Sequence, residues 1–418
     1  MITTDVLAIG AGPSGTVAAA IIKQAGYDVT IVEKTQFPRF VIGESLLPRC
    51  LEALDDAGFM PALTAQNFQV KAGAKFIRQG KVCDFTFEQQ HTDGCRYAWQ
   101  MPRADFDLTL ANECERMGVK VHYRQEVTAI DIAEDGTSIT TVQPEGGDAY
   151  KIKAKFIVDG SGYGRVIPRL FNLEKNSTQA ARKTVFAHLT DPKRLEQIEP
   201  NRIVVYVHED DCWIWTIPFA NGNTSVGYVS SPQFFEKYQG GAEEQFRAMI
   251  ADEPALEKRF GEAELIFEPR TLQGWSATTD TFWGKGFVLT GNVTEFLDPI
   301  FSSGVTLATV SAQTAGKLVV RQLNGETVDW QKEYTLPTMK GVDVFRTYVN
   351  AWYDGTLFKI FFADNKEDLI KEQICSVLAG YVWDDTNPFV RNHEKIVYTL
   401  ARFLDQKAPT TADKKNDS

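Results

Sequence analysis

Two kinds of apolar patterning share this chain. Asp5-Val6-Leu7-Ala8-Ile9 is a short, nearly continuous apolar run, the signature of a strand covered on both faces, and Asp28 to Val32 repeats it. Between them the apolar stretch from Val17 to Ile22 predicts a helix. Phe156-Ile157-Val158-Asp159 and Gly286-Phe287-Val288-Leu289 are further runs of the first kind, each ending in a glycine turn, and an apolar helix is predicted from Val305. The second kind is partly alternating, over Lys75 to Phe87, Val119 to Val142 and Arg202 to Val229, with turn signals at Asp135-Gly136, Gly146-Gly147 and Asn221-Gly222. From Trp330 to Asp405 the pattern is mostly helical and aromatic, and the polar residues from Ala408 onward read as a disordered tail.

These patterns predict a mixed α/β fold. A Rossmann-like nucleotide-binding domain is interleaved with a large β-sheet that roofs its ligand, and a helical region follows. The expected boundaries are 1–70, 100–130, 150–175 and 280–330 for the discontinuous nucleotide domain, 71–99 and 176–279 for the sheet, 331–407 for the helices and 408–418 for the tail.

The N-terminal elements carry a specific chemistry. Gly10-Ala11-Gly12-Pro13-Ser14-Gly15 is G-x-G-x-x-G, placed between a strand and a helix, and Glu33 ends the second strand about twenty residues further on. In such a βαβ unit Gly10 allows the tight turn, Gly12 lets the backbone approach a pyrophosphate, Gly15 lets helix and strand pack, and Glu33 takes ribose hydroxyls. The motif alone would be weak; with its strand, helix and acid in place it predicts dinucleotide binding.

Composition narrows the field. With 418 residues, 43% of them hydrophobic and 24% charged, the chain can bury one large core or a few joined domains. A formal net charge of −11 and the lack of a Lys/Arg cluster exclude nucleic acid as the expected partner. No basic, then apolar leader and no apolar stretch long enough to span a bilayer is present, so the expected compartment is the cytoplasm. Cys50, Cys83, Cys95, Cys114, Cys212 and Cys375 lie far apart without metal-ligand spacing, and they read as reduced thiols with no metal site.

Arg39, Gly43-Glu44-Ser45 and the R-x-x-F-D-x-x-L run from Arg103 to Leu110 resemble flavin-holding segments of the p-hydroxybenzoate hydroxylase-like superfamily, which also includes the geranylgeranyl reductase group. The resemblance favours FAD over NAD. It implies a cofactor site that adds Lys34, Arg39, Ser45, Arg103, Val127, Asp159, Gly291, Asn292, Pro299, Gly304 and Val305 to the fingerprint residues. Asn292 stands where that superfamily often has aspartate, and its amide still hydrogen-bonds a hydroxyl. A helix start near Gly304 would offer backbone N–H groups to the flavin or to an anion.

Three further motifs sharpen the resemblance. Lys71 lies in Val70-Lys71-Ala72-Gly73-Ala74-Lys75-Phe76, Trp213 to Pro218 is W-x-W-x-I-P, and Phe296 to Gly304 is F-x-x-P-x-x-S-x-G. Together they resemble the flavin-dependent halogenases over about three quarters of the chain. That likeness implies reduced FAD, O2 and halide producing hypohalous acid, with Lys71 as the catalytic residue that captures or orients it. A lysine suits the role because its ammonium polarises the oxidant, while a desolvated amine is a nucleophile. Ser303 and Gly304 would hold the halide, and Trp213, Trp215 and Phe301 would face the substrate side. Without these neighbours Lys71 would read as a solvated lysine and the two tryptophans as packing.

Tryptophan-acting halogenases resemble P-x-E-S-x-G at this helix start, whereas this chain has Pro299-Ile300-Phe301-Ser302-Ser303-Gly304. Phe301 cannot supply the glutamate's charge, which points to a phenol or pyrrole, free or tethered to an acyl carrier protein. The resemblance also implies a separate NAD(P)H-dependent flavin reductase, since no second fingerprint is present. Glu44 and Asp298 are acids near the flavin segments with no base role assigned. An FAD-dependent monooxygenase, a geranylgeranyl reductase-like enzyme and a non-catalytic flavin-binding scaffold remain alternatives.

Overall fold

The computed structural model describes residues 1–175, 179–275, 277–364 and 367–407, and the expected tail lies outside them. Strand Ile2–Ile9, helix Pro13–Gln24 and strand Val29–Val32 form the βαβ unit. Ile2–Ile9 runs parallel to Val29–Val32 on one side and to Tyr150–Asp159 on the other. Phe287–Leu289 and Lys120–His122 extend this parallel set at its two edges. Alternate residues of the first strand enter different cores: Val6 and Ala8 join helix residues such as Val17 and Ala312, and Leu7 and Ile9 join Ile157 and Leu289. Burial on both faces explains the continuous apolar runs.

The roof is a seven-stranded sheet in the order Arg270–Gln273, Lys183–Thr190, Asn223–Ser230, Cys212–Pro218, Val204–Glu209, Gly73–Arg78, Lys81–Thr86. Its pairings are antiparallel except between Val204–Glu209 and Gly73–Arg78. The alternation over Lys75 to Phe87 and Arg202 to Val229 is therefore realised in the roof. That over Val119 to Val142 is not. Strands Gln125–Ile132 and Ser138–Pro144 pair with each other, and the latter continues onto the start of Tyr150–Asp159, so this hairpin extends the nucleotide sheet. Alternation shows that a strand has one buried face; it does not show which sheet supplies the cover.

Strand Lys183–Thr190 gave no such pattern because both faces are covered. Val185, Ala187 and Leu189 pack beneath helices Ala242–Asp252 and Pro254–Phe260, while Phe186 and His188 point to the other side. The C-terminal region is helical as expected, with Leu336–Tyr353, Thr356–Phe361, Asp368–Leu378 and His393–Lys407. Its aromatic side chains fill a core with Phe76, Phe85 and Phe301. No helix among the described residues is long and apolar enough to cross a membrane.

Candidate cofactor site and active site

A cavity of about 480 Å³ lies between the carboxyl ends of the parallel strands and the roof. Gly10, Gly12, Glu33 and Gly160 line it from the nucleotide sheet, and Thr184, Val205, Trp213 and Trp215 from the roof. The carboxyl end of a parallel sheet is where such folds hold their ligands, because successive strands diverge there.

The three fingerprint glycines have separable reasons. A Cβ on Gly10, whose φ is +92°, would lie 2.8 Å from the Gly160 carbonyl oxygen, and one on Gly15 would lie 1.9 Å from the Gly10 carbonyl oxygen. Both are required by packing. A Cβ on Gly12 would meet nothing within 4 Å except an Arg39 guanidinium nitrogen at 3.6 Å. Gly12 therefore leaves backbone open to the cavity, as a pyrophosphate needs. Pro13 and Ser14 also line it, and the Ser14 hydroxyl donates to Thr290 Oγ1 at 2.7 Å.

Glu33 lines the cavity and holds the loop: Oε2 accepts from Ala11 N at 2.9 Å and Oε1 from Thr35 N at 2.9 Å. Lys34 is at the exposed rim, paired with Glu126 at 2.7 Å. The R-x-x-F-D motif is an ion cluster on helix Arg103–Arg116. Arg103 grips fully buried Asp107 one turn on at 2.8 and 2.9 Å, and Arg39 reaches the same carboxylate at 2.9 Å. One buried acid thus orders two guanidinium groups that line the cavity near Gly12 and Gly43, where they suit an anion. Ser45 lines it as well.

Three expected cofactor residues act indirectly. Asp159 is fully buried and absent from the lining; its oxygens accept from Ser161 N at 3.0 Å and Ile167 N at 2.7 Å, and burial raises its pKa. It shapes the Gly160 to Gly164 turn that does line the cavity. Gly291 is needed for its φ of +61° and its approach to Ala308, and Val127 packs in the apolar cluster with Leu7 and Val32. Asn292 lines the cavity as expected.

The F-x-x-P-x-x-S-x-G motif starts helix Ser303–Leu323. Asp298 Oδ1 caps a short turn by accepting from Ile300 N at 3.1 Å, and Ser302 takes the left-handed conformation that swings the chain into the helix. Pro299, Gly304 and Val305 line the cavity. Ser303, expected at the halide position, is buried away from it, and Ser302 lines it instead, its hydroxyl 3.3 Å from that of Ser45.

In W-x-W-x-I-P, residues 213, 215 and 217 share the cavity face of strand Cys212–Pro218, while Cys212 and Ile214 enter the core on the opposite side. Trp213 and Trp215 lie 5.9 Å apart. Both line the cofactor cavity. Gly227 on the neighbouring strand makes room, since a Cβ there would sit 2.1 Å from the Trp215 ring. Trp213 Nε1 donates to the Tyr353 hydroxyl at 2.9 Å, and that hydroxyl donates to Asp298 Oδ2 at 2.9 Å. Burial pushes the Asp298 carboxyl up to about 6.

Lys71 ends strand Gln69–Lys71, paired with Ala98–Gln100. Gly73, two residues on, is fixed by the close pass of the Phe85 carbonyl, 1.9 Å from a Cβ placed there. Lys71 is 2% exposed; its Nζ donates to Leu46 O at 3.0 Å and lies 5.6 Å from the Phe87 ring centre. Burial, aided by the charge of Arg202, brings its pKa down to about 7. It does not line the cavity, but Leu46 directly follows Ser45, which does. Phe301 is likewise off the cavity, packed 5.9 Å from Trp352, 6.2 Å from Tyr348 and 6.4 Å from Phe76.

The sequence reading missed His188, Thr184 and Trp275. His188 Nε2 lies 2.7 Å from Glu44 Oε1, with both side chains buried. Glu44 Oε2, Thr184 Oγ1 and Trp275 Nε1 are buried atoms without a hydrogen-bond partner among the described residues, and all three residues line the cavity. Unmet buried polar atoms converging on one cavity fit a polar ligand. Gly12, the two arginines and the helix start fit a dinucleotide whose second half carries a flavin.

Known proteins agree with this geometry. Residues 3–326 match the FAD binding domain family. The chain is 27% identical over 334 residues to the 1H-pyrrole-2-carbonyl-[peptidyl-carrier protein] brominase of Pseudoalteromonas luteoviolacea, covering 79% of this chain and 80% of that one. It is 27% identical over 408 residues to the corresponding chlorinase of Pseudomonas fluorescens, covering 91% and 89%. A solved flavoprotein/dehydrogenase from Cytophaga hutchinsonii superposes with a TM-score of 0.95 at 52% identity, covering 97% of this chain and all of that one. The fingerprint, the paired arginines and the match across most of its length establish that this chain belongs to the FAD binding domain family, with FAD as its cofactor.

Proposed function

We propose that the protein is an FAD-dependent halogenase acting on an electron-rich phenol or pyrrole, free or tethered to an acyl carrier protein. The observation that carries this reading is Lys71: an amine wholly removed from water, brought to about 7, held on the Leu46 carbonyl one residue from the cavity wall. The two halogenating relatives, both named for a carrier-bound pyrrole, support the substrate class.

Bound FAD, reduced by a separate NAD(P)H-dependent reductase in the cytoplasm, would supply the two electrons that let O2 convert halide to hypohalous acid. The chain's residues supply the rest. Arg39 and Arg103 neutralise the pyrophosphate, and the Gly304 and Val305 amides at the helix start offer donors to an anion. Trp213 and Trp215 keep an aromatic substrate away from the reacting centre. Lys71 donates a hydrogen bond to the oxidant as an ammonium, or attacks it as a neutral amine, and at a pKa near neutrality both forms are present.

A second reading, an FAD-dependent dehydrogenase or reductase, is favoured by the aromatic packing around Phe301 and by the description of the Cytophaga protein. Incubation with FAD, a flavin reductase, NADH, O2 and bromide or chloride separates the two when a panel of phenols, pyrroles and their carrier-bound forms is read by mass spectrometry. Halogen isotope patterns are expected. Hydroxylated or reduced products without halogen would transfer the assignment to the second reading.

A further inference from the structure

We propose that Glu44 and His188 form a built acceptor for the flavin half of FAD: Glu44 takes a hydrogen bond from an N–H or O–H of that half, and His188 is the positioning residue that fixes the carboxylate. This inference rests on FAD binding alone and stands or falls apart from halogenation.

Glu44 is 2% exposed, lines the cavity, and has one oxygen engaged by His188 while Oε2 has no partner among the described residues. A buried carboxyl oxygen left without a donor is costly, so a fold that retains one on a residue of the cavity wall leaves it for the ligand. The backing is specific. His188 comes from strand Lys183–Thr190 in the roof, and Glu44 from the segment beneath it that is pinned by Met101 N donating to Glu44 O at 3.0 Å. The imidazole is walled by Phe40, Phe219 and Phe267 at ring distances of 5.7, 5.0 and 4.8 Å, which leave it one way to face the carboxylate. Arg103, which donates to the carbonyls of Ile42 and Gly43, is the cation within electrostatic reach of Glu44.

Position selects the flavin half. A Cβ on Gly43 would lie 4.0 Å from Val305, and Ser45 touches Ser302, so Glu44 sits beside the helix start, whereas the adenosine half belongs with Gly12, Glu33 and Lys34. Flavin ring N–H and ribityl O–H groups are the donors available there.

The test titrates apoprotein with FAD, FMN and ADP by calorimetry. Glu44→Gln is expected to weaken FAD and FMN ~10-fold or more and to leave ADP within about twofold, because ADP reaches only the fingerprint end. His188→Leu is expected to reproduce that split, and His188→Asn, which keeps a donor, to recover part of the loss. A merely structural role would move all three ligands together. FAD affinity in Glu44→Gln within about twofold of wild type, or equal weakening of FAD and ADP in a variant with a wild-type melting curve, would overturn the proposal. Should Glu44→Gln not fold, Glu44→Asp, which keeps a carboxyl group and withdraws the oxygen, undergoes the same titrations under the same criteria.

Discussion

The two ends of the active region are built on opposite principles. At the cofactor end the fold leaves space and unmet polar groups: Gly12 with only an Arg39 nitrogen nearby, Arg39 and Arg103 held by one acid, and Glu44, Thr184 and Trp275 with atoms unengaged among the described residues. At the Lys71 end side chains close on one another: the amine is spent on a backbone carbonyl, Phe301 is enclosed by Phe76, Tyr348 and Trp352, and the Tyr348 hydroxyl is the unmet polar atom of that enclosure among the described residues. The first end is prepared for a ligand that is always the same.

If the far end is a closed core, cutting into it is the most damaging change. Phe301→Ala should cost about 3–5 kcal/mol by urea denaturation, and a phenol that refills the space should restore part of it. A loss below about 1 kcal/mol would mean that the end is already open. Lys71→Met tests the same enclosure through pH. Lys71 has a folded pKa of about 7, below the unfolded value of about 10.4, so its cost to folding is complete below pH 7 and fades as pH rises to the unfolded value. The variant should exceed wild type by on the order of 4 kcal/mol at pH 6 and the gap should shrink steadily toward pH 10. A pH-independent gap would place the amine in water.

At the cofactor end the predicted effects fall on binding instead. Gly12→Asp keeps a good helix cap, and a Cβ there meets only Arg39 within 4 Å, so its apo melting point should hold while FAD affinity falls ~100-fold, about 2.7 kcal/mol. Equal FAD binding would put the pyrophosphate elsewhere. The smallest change probes the link between the ends: Tyr353→Phe removes the partner of Trp213 Nε1 and Asp298 Oδ2 and should cost about 1–3 kcal/mol. Because Asp298 is raised to about 6, above its unfolded value, its own penalty grows as pH climbs from about 4 to 6 and is absent in more acidic solution.

The same contrast decided what the sequence could reveal. The G-x-G-x-x-G fingerprint and the R-x-x-F-D helix start are short-range devices whose residues lie within a few positions of one another, and Gly10, Gly12 and Arg103 line the cavity as the pattern suggests. The W-x-W strand was legible too, because residues 213, 215 and 217 alternate onto one face, and that face carries the cavity. Ser303 and Ser302 differ by one position across a left-handed turn, a distinction that local pattern does not make. His188 stayed hidden because its partner is 144 positions away and its strand, covered on both faces, shows no alternation. Phe301 was assigned from a motif position, and the side chains that enclose it come from a later helix, Leu336–Tyr353, and from roof strand Gly73–Arg78.

The central claim, that Lys71 delivers a flavin-derived oxidant to an aromatic ring, is tested by following halide oxidation and substrate halogenation together in wild type and Lys71→Met, with monochlorodimedone as a trap for free hypohalous acid. The account predicts halogenated substrate from wild type, and from the variant intact FAD binding and trapped oxidant with no halogenated substrate. Equal halogenation by both proteins, or a wild type that yields neither trapped oxidant nor halogenated product across the panel, would contradict it.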